Sequence, residues 1–140
     1  LDAIASLKYE ECLEKNISFD VYIQDFMDNL EIEPNDMSSV LLNIIDNAIE
    51  SLSAIQKEKK YIRLHAYEDE FQYIIAIKNN GPKIHNVESI FLDGFSTKEG
   101  QDRGFGLYLV KNILDKYDYS ILVNSDDFLT EFVILIPKYY

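Results

Sequence analysis

The order of hydrophobic patterns along the chain predicts an α+β fold, a two-layer sandwich in which one mixed β-sheet carries helices on one face. Two long segments place apolar residues at the spacing of an amphipathic helix. Five shorter segments have the alternating or continuously apolar pattern of strands. The 140 residues are enough for one domain with its own core.

The first half of the chain predicts a helix, a strand and a longer helix. Residues 3–15 have a helical pattern that Asn16 ends, and 17–23, ISFDVYI, alternate like a strand. Asp36 stands where the N-cap of the next helix, 37–56, is expected. The apolar residues of that helix recur at helical spacing: Val40, Leu41, Ile44, Ile45, Ala48, Ile49, Leu52 and Ile55.

The second half predicts two pairs of strands separated by a loop and a helix. The pattern predicts a hairpin from 58–69 and 71–79, EKKYIRLHAYED and FQYIIAIKN, followed by a short amphipathic piece around Val87–Phe91. The later elements are a helix at Leu107–Tyr117 and the strands YSILVN and TEFVILIP, joined by a tight turn.

Composition excludes several classes of protein. The formal net charge is −12, from 25 acidic and 13 basic residues, so the basic surface that nucleic-acid binding needs is not expected. Cys12 is the lone cysteine, which fits a reducing compartment and a small buried side chain. No apolar run approaches the ~18 residues of a membrane span. Since Leu1 is no initiating Met, we expect the chain to be a fragment of a longer protein.

Three segments carry residues suited to binding chemistry. Asn43 and Asn47 lie one turn apart in the predicted long helix, where an amide oxygen suits Mg²⁺, although two solvated Asn give the same pattern. The turn KNNGPKI places Asn79, a donor and acceptor, beside Gly81, which permits close backbone approach; an ordinary turn has the same composition.

The third segment is the loop STKEGQDRGFG. Lys98 and Arg103 precede glycines at a helix entrance, an arrangement typical of a phosphate site, because a helix N-terminus attracts anions. An exposed loop with charges of both signs remains the alternative reading. The chain has no GxxxxGK[ST] motif, so it is not a P-loop protein.

The combination and order of these motifs resemble the ATP-binding domain of sensor histidine kinases, in the superfamily shared with DNA gyrase, the MutL proteins and a heat-shock chaperone. NIIDNAIES resembles the N box, NNGPKI the first glycine box, IFLDGFSTK the F box, RGFGLYLVK the second glycine box and TEFVILIP the closing strand. The resemblance covers about 17–137. The short gap between FSTK and RGFGL is most similar to citrate- and fumarate-sensor kinases and to quorum-sensing kinases of Gram-positive bacteria.

The resemblance implies a Bergerat-type ATP-binding fold and specific roles for residues. Asn47 corresponds to the Mg²⁺ ligand, and Asn43, one turn earlier, faces the phosphates; both are the implied catalytic residues. The implied phosphate contacts come from the lid and the following helix: Lys98, Arg103, Gly104, Gly106 and Leu107.

The same resemblance implies a base site. Asn79 replaces the usual Asp that accepts a hydrogen bond from the adenine amine, and Thr130 supports it directly or through water. Gly81 lets the backbone approach the base, and Ile84 lines the pocket. Lys83 stands where the family has a second glycine, and DFL replaces the usual glycines before Thr130.

The implied function is the ATP- and Mg²⁺-dependent half of a two-component kinase, which donates the γ-phosphate to a His on an upstream dimerisation domain. Neither His65 nor His85 has the setting of a phosphoacceptor. Residues 1–15 are then the end of the upstream segment and 16–140 the ATP-binding domain. The implied partners are that segment and a response regulator. The full-length protein is expected to be a homodimer, and the fragment is expected to be a monomer. The domain is expected to lie on the cytoplasmic side of a membrane-anchored bacterial sensor.

Two other functions stay open at this point. An anti-sigma-factor type of Ser/Thr kinase shares the resemblance, and a non-catalytic module with a degenerate nucleotide pocket would explain Asn79 and Lys83. At Asn43 the ATPases of the superfamily carry a Glu that activates water. Because Asn is no general base, we expect slow or absent ATP hydrolysis.

Overall fold

The predicted α+β fold is confirmed by a computed structural model, which describes residues 2–24, 30–92 and 106–138. Within these ranges the helices and strands follow the predicted order. They are α1 (Asp2–Glu14), β1 (Ile17–Ile23), α2 (Pro34–Ser53), β2 (Lys60–Glu68), β3 (Gln72–Asn79), α3 (Gly106–Lys116), β4 (Ser120–Ser125) and β5 (Thr130–Pro137). No helix among the described residues is long and apolar enough to span a bilayer.

The five strands form one mixed sheet in the order β1-β2-β3-β5-β4. β1 pairs parallel with β2, and every other pair is antiparallel. Both predicted hairpins are present, β2–β3 and β4–β5, and β5 lies between β3 and β4. The antiparallel register therefore brings the end of β3, the start of β5 and the end of β4 to one end of the sheet.

One face of the sheet carries the core. Alternate strand residues such as Leu64, Ile77 and Phe132 are buried in a single cluster with α2 and α3. α2 lies over β2 and β3, α1 beside β1 and α3 beside β4. The inward face of α2 is buried by the residues Met37, Val40, Leu41, Ile44, Ile45, Ala48, Ile49 and Leu52. This amphipathic stripe fixes which side of α2 is free for chemistry.

The prediction that Asp36 is the N-cap of the long helix is wrong. α2 begins at Pro34, whose fixed φ and missing N–H suit the first helical position, and Glu33 precedes it without a side-chain capping bond. Asp36 lies within the first turn and instead accepts hydrogen bonds from Lys116 Nζ at 2.8 Å and from the Tyr117 hydroxyl at 2.6 Å. These bonds hold the start of α2 against the end of α3 and lower the pKa of the Asp36 carboxyl.

Two helices end on a residue in the left-handed conformation. Asn16, at φ 59°, follows α1, as the sequence predicts for the break there, and Asp118, at φ 59°, follows α3. Beyond α3 the N–H of Tyr119 donates to the Leu114 carbonyl at 3.0 Å, which closes the last turn and starts β4 on the core side.

α1 packs against the rest of the domain through one face. Lys8 is largely buried and forms ion pairs with Asp46 of α2 at 2.5 Å and with Glu11 at 3.0 Å. Burial alone would lower the pKa of Lys8, but these hydrogen bonds outweigh it and raise that pKa. Cys12 is fully buried, and burial raises the pKa of its thiol to about 11. A buried, protonated thiol is typical of a cysteine that serves packing. The domain boundary at residue 15 remains a prediction.

Candidate nucleotide-binding site

A row of polar side chains crosses three strands at one end of the core face. Thr130, the first residue of β5, is paired in register with Asn79 on β3 and with Ser125 on β4. Asn79 and Thr130 are 4% and 2% exposed. Buried polar groups at the end of an apolar sheet need partners, so their hydrogen bonds define the local geometry.

Asn79 is held by the turn that follows it. Its Oδ1 accepts a hydrogen bond from the Gly81 N–H at 2.8 Å. A Cβ on Gly81 would lie 2.8 Å from that same oxygen and 3.5 Å from Ser51 Cβ, so only glycine fits between β3 and α2 here. Position 81 therefore requires glycine because a larger side chain would collide with the Asn79 oxygen.

Asn80 fastens the same turn to β2. Its side-chain oxygen accepts from the Tyr61 N–H at 2.8 Å, and its amide nitrogen donates to the Lys59 carbonyl at 2.7 Å. The side chain thus replaces a backbone peptide and prolongs the β2–β3 ladder by one step. Asn79 and Asn80, adjacent in sequence, face opposite neighbours and fix the turn from both sides.

The turn is also bonded to β4. The Ile84 N–H donates to Ser125 Oγ at 2.8 Å, and Ser125 Oγ lies 2.7 Å from Thr130 Oγ1. Ile84 is half-buried against the core cluster. Ile84, predicted to line the pocket, is therefore connected through one hydroxyl to Thr130, predicted to support Asn79.

α2 presents a polar stripe towards this end of the sheet. Asn43, Asn47 and Ser51 follow one another at four-residue spacing, are half-buried and lie on one face of the helix. Asn43 Nδ2 donates to the Ser39 carbonyl at 2.7 Å, which turns its oxygen outward from the helix. Among the described residues Asn47 has no side-chain hydrogen-bond partner, so its amide is available.

The two ends of the stripe meet two glycines. Ser51 lies beside Gly81, as above, while Asn43 Oδ1 lies 2.9 Å from where a Cβ on Gly106 would be. Gly106 is the first residue of α3. The N-terminus of α3, where backbone N–H groups point outward, therefore abuts the middle of α2 at Asn43.

Eight of the predicted site residues lie in this region of the described chain: Asn43, Asn47, Asn79, Gly81, Ile84, Gly106, Leu107 and Thr130. Lys98, Arg103 and Gly104 lie outside the described residues. The described residues contain no cluster of three His, Cys, Asp or Glu side chains that could hold a metal ion.

Three residues of the site lie outside the predicted set: Ser51, Asn80 and Ser125. Ser51 was detectable, because it follows Asn47 at the same four-residue spacing that linked Asn43 to Asn47. Asn80 is half of an Asn doublet, of which only the first member was assigned a role. Ser125 has no local signal, since its position depends on the pairing of β4 with β5.

Comparison with known proteins agrees with this geometry. Residues 32–137 match the family model described as GHKL domain. The chain is 40% identical over 102 residues to the sensor protein CitS of Halalkalibacterium halodurans, covering 69% of this chain and 19% of that protein. It is 31% identical over 118 residues to a probable C4-dicarboxylate sensor kinase of the same organism, covering 81% and 22%.

A solved structure extends the comparison to the fold. The catalytic domain of the histidine kinase ThkA, in a nucleotide-free form, superposes with a TM-score of 0.76 at 27% identity, covering 99% of this chain and 92% of that chain. The chain spans about a fifth of the length of the two sensor proteins above. Because the family match covers most of the chain and all the elements that build the site, the chain belongs to the GHKL domain family.

Proposed function

We propose that this domain binds ATP with Mg²⁺ and acts as the phosphate-donating half of a sensor histidine kinase. The observation that carries the proposal is the stripe Asn43–Asn47–Ser51, which runs from the N-terminus of α3 to the buried Asn79 turn. A nucleoside triphosphate has a matching order of groups, with an anionic, metal-binding phosphate end and a polar aromatic base at the other end.

The base belongs at the Asn79 end. The Asn79 oxygen has two lone pairs, one of which accepts the Gly81 N–H, so the second is free for an exocyclic amine. The buried Gly81 and the half-buried Ile84, which packs against the core cluster, belong to the turn that follows Asn79. A flat base would lie against this partly apolar turn.

The phosphates belong at the Gly106 end. The first N–H groups of α3 have no partners within the helix and carry the positive end of its dipole. Asn43 lies directly against Gly106, where the absence of a Cβ leaves room for the Asn43 side-chain oxygen beside the start of α3. Lys98 and Arg103, from the loop that precedes α3 in the sequence, would add positive charge to this site in a chain whose net charge is −12.

The donor set fits Mg²⁺ with one protein ligand. The Asn47 amide is neutral, half-buried and without a side-chain partner among the described residues, and it lies between the Gly81 end and the Gly106 end of the stripe. Its oxygen is therefore free to act as a ligand of Mg²⁺. When bound with the nucleotide, Mg²⁺ would neutralise phosphate charge. Asn43 cannot take a proton from water, so the domain holds the phosphoryl group for a nucleophile supplied from elsewhere.

The wider setting of the proposal follows the relatives, which are sensor kinases. The acceptor is a His on an upstream dimerisation domain, the receiver of the phosphoryl group is a response regulator, and the intact protein is a membrane-anchored homodimer whose cytoplasmic part contains this domain. A non-catalytic nucleotide-binding module and an anti-sigma-factor type of kinase are the alternatives that the experiment below separates.

The test is a calorimetric titration of ATP, GTP and inorganic tripolyphosphate, with and without Mg²⁺, into the wild type and Asn47→Ala. We expect Mg²⁺-dependent ATP binding in the wild type and loss of the Mg²⁺ dependence in the variant. Asn112→Ala, an exposed Asn on α3, is the matched control and should bind as the wild type does. A wild type that binds no ATP contradicts the proposal.

The second half of the test is phosphotransfer. The full-length kinase carrying Asn47→Ala should fail to phosphorylate its own His, whereas the Asn112→Ala kinase should retain activity. Normal phosphotransfer by Asn47→Ala would show that Asn47 is a surface residue. ATP binding without transfer by the wild-type protein would favour the non-catalytic module, and transfer to a Ser or Thr would favour the other kinase class.

A further inference from the structure

β4 is an edge strand whose outer side has no strand beside it among the described residues. It pairs with β5 on one side only, and no backbone hydrogen bond joins it to any other described segment. The N–H and C=O groups of alternate residues therefore point away from the sheet. An edge of this kind is a template for a further strand.

β4 also lacks the features that keep a sheet edge from pairing. Its sequence, SILVNS, contains no charged residue and no proline. The opposite edge strand, β1, is protected in two ways, since it carries Asp20 at its centre and lies beside α1. Of the two edges of the described sheet, β4 is therefore the one that is open to pairing.

The side chains of β4 leave apolar surface uncovered on both faces of this edge. Leu122, on the outer face, is 52% exposed. Ile121 and Val123 point to the core face but are only half-buried against the core cluster, since the described sheet ends with β4. A sixth strand with apolar residues at its middle would cover all three side chains.

Acidic residues lie beyond both ends of β4. Asp118 lies two residues before the strand and Asp127 two residues after it, and both are exposed. Neither carboxylate has a hydrogen bond or ion pair to a side chain within the described ranges. Asp126, between the strand and Asp127, is exposed as well, and its carboxylate accepts two backbone N–H groups of the turn. The edge is thus an uncharged, largely apolar strand with negative charge at each end.

These charges distinguish a second copy of the chain from other partners. In the symmetric antiparallel pair that overlaps over the whole strand, Ser120 of one copy would face Ser125 of the other. Asp118 would then face Asp127 at both ends of the pair. Like charges directly opposite each other on neighbouring strands are destabilising. A partner strand with a basic residue at each end would instead form an ion pair at each end.

We propose that the free edge of β4 binds an extended segment of another protein, which adds a sixth strand antiparallel to β4. The segment has apolar residues opposite Ile121, Leu122 and Val123, and it has a Lys or Arg opposite both Asp118 and Asp127. Backbone hydrogen bonds supply the affinity, and the apolar and basic side chains supply the selectivity. Binding at this edge requires no nucleotide, so the inference is independent of the proposed function.

The test is an NMR titration of the isotope-labelled chain, without nucleotide, with synthetic peptides that span Asp118 to Asp127. KSTSVIVSTK has the proposed pattern, ESTSVIVSTE has acidic ends, and KSTSPIPSTK cannot continue a strand ladder. We expect KSTSVIVSTK to shift the amide signals of β4 and to bind about threefold to tenfold more tightly than ESTSVIVSTE, because two exposed ion pairs replace two repulsions. KSTSPIPSTK should not bind.

A charge variant of the chain separates selectivity from folding. The double variant Asp118→Asn with Asp127→Asn keeps the backbone edge of β4 but removes both carboxylates. KSTSVIVSTK should then bind no more tightly than ESTSVIVSTE. Asn is chosen because Asp118 has a φ of 59°, a conformation that Asn adopts more readily than most residues.

The matched control comes from the other hairpin. The turn between β2 and β3 has the same hydrogen bonds as the turn between β4 and β5, with Asp69 in the place of Asp126. Glu70 therefore corresponds to Asp127, but it lies at the opposite end of the sheet. Glu70→Gln should bind all three peptides as the wild type does.

Four results would overturn the proposal. Three come from the titration of the wild type: no shift of the β4 amides with KSTSVIVSTK, equal affinity for KSTSVIVSTK and ESTSVIVSTE, or equal affinity for KSTSVIVSTK and KSTSPIPSTK. The fourth is a dimer in analytical ultracentrifugation with β4 protected from hydrogen exchange, which would show that a second copy occupies the edge. ATP binding is measured separately, so either proposal can fail while the other holds.

Discussion

At the scale of single residues, the Gly81 N–H decides which way the Asn79 amide faces. It donates to Oδ1 at 2.8 Å, so rotating the amide by half a turn would place an NH₂ group against an N–H. The exchange would cost a hydrogen bond in a buried site, about 1–3 kcal/mol. Asn79 therefore acts as a fixed acceptor, the role that a carboxylate would also fill.

The first prediction concerns that acceptor. Asn79→Asp keeps the Gly81 bond and replaces a neutral acceptor by a charged one, which strengthens a hydrogen bond by about 1 kcal/mol. We expect ATP to bind up to about tenfold more tightly and the preference over GTP to increase, measured by calorimetry. Unchanged affinity for both nucleotides would mean that Asn79 does not meet the base.

The control is the same substitution one residue later. Asn80→Asp removes the donor to the Lys59 carbonyl and places a carboxylate against that oxygen. It should lower the free energy of unfolding by about 1–3 kcal/mol without improving nucleotide affinity. Substitution of Asn79 is thus expected to change nucleotide affinity, whereas substitution of Asn80 is expected to change the stability of the turn.

The second prediction concerns Gly106. A Cβ there would lie 2.9 Å from Asn43 Oδ1, and Asn43 is held by its bond to the Ser39 carbonyl. Gly106→Ala should therefore cost about 1–3 kcal/mol of stability, although Ala is the better helix former. Adding Asn43→Ala should recover most of that loss, as measured in a double-mutant cycle by chemical denaturation. Additive effects in the cycle would show that the two residues do not collide.

At the scale of elements, α2 and α3 are joined at two places. Gly106 meets Asn43 at the nucleotide end, and Asp36 binds Lys116 and Tyr117 at the other. The Tyr117 hydroxyl also accepts the Glu33 N–H at 3.1 Å, which gives the uncapped start of α2 a partner. The position of the α3 N-terminus relative to the Asn stripe therefore depends on contacts far from any ligand.

The third prediction is a pH dependence at this junction. Hydrogen bonds from Lys116 and Tyr117 lower the pKa of Asp36 below its usual 3.8. The stabilising contribution of Asp36 is therefore present above pH 3.8 and is lost as the pH falls through the lower folded-state pKa. Asp36→Asn should lower thermal stability at neutral pH and make the remaining stability fall less steeply in acid.

A matched substitution separates the junction from ordinary surface charge. Asp115 pairs with Lys111 at 2.6 Å within α3 and, within the part of the chain that the structure describes, has no side-chain partner in a second element. Asp115→Asn should leave stability at neutral pH nearly unchanged, because exposed i,i+4 pairs contribute only about 0.3–0.5 kcal/mol. If both variants lose the same stability over the same pH range, the junction has no special role.

At the scale of the whole molecule, the sheet separates the candidate site from His65. His65 lies on the outer face of β2, exposed and packed between Tyr22 at 5.1 Å and Tyr67 at 4.5 Å between ring centroids. The helices and the Asn stripe lie on the other face. The remaining histidine, His85, is exposed in the turn after Ile84 and does not lie on a helix.

The fourth prediction follows from that arrangement. The isolated domain, incubated with γ-labelled ATP and Mg²⁺, should acquire no acid-labile phosphate, because neither histidine is positioned as an acceptor. Labelling should appear on the upstream histidine domain when that domain is added. Stable phosphohistidine on the isolated domain would contradict the prediction, and His65→Ala and His85→Ala would then identify the acceptor.

Much of the fold was predictable because its signals are local. The stripe of α2 repeats over 20 residues, and the alternation in β2 and β5 repeats over nine and eight residues. The left-handed Asn16 marks the end of its helix directly. The start of α2 was predicted too late because Pro34, with its fixed φ and no N–H, suits the first helical position without the side-chain cap that was expected from Asp36. Asp36 is used instead in contacts with Lys116 and Tyr117, 80 and 81 positions away, which no local pattern contains.

The sequence by itself determined the element order, the polar stripe of α2 and the motifs by which the GHKL family is recognised. Only the tertiary structure decided that Ser51 meets Gly81, that Asn43 meets Gly106 and that Ser125 bonds both Ile84 and Thr130. The physical reason is that helical and strand periodicity is set by neighbours along the chain. A site at the end of a sheet is set by register between strands and by the packing of one helix against another, and both join residues that are distant in sequence.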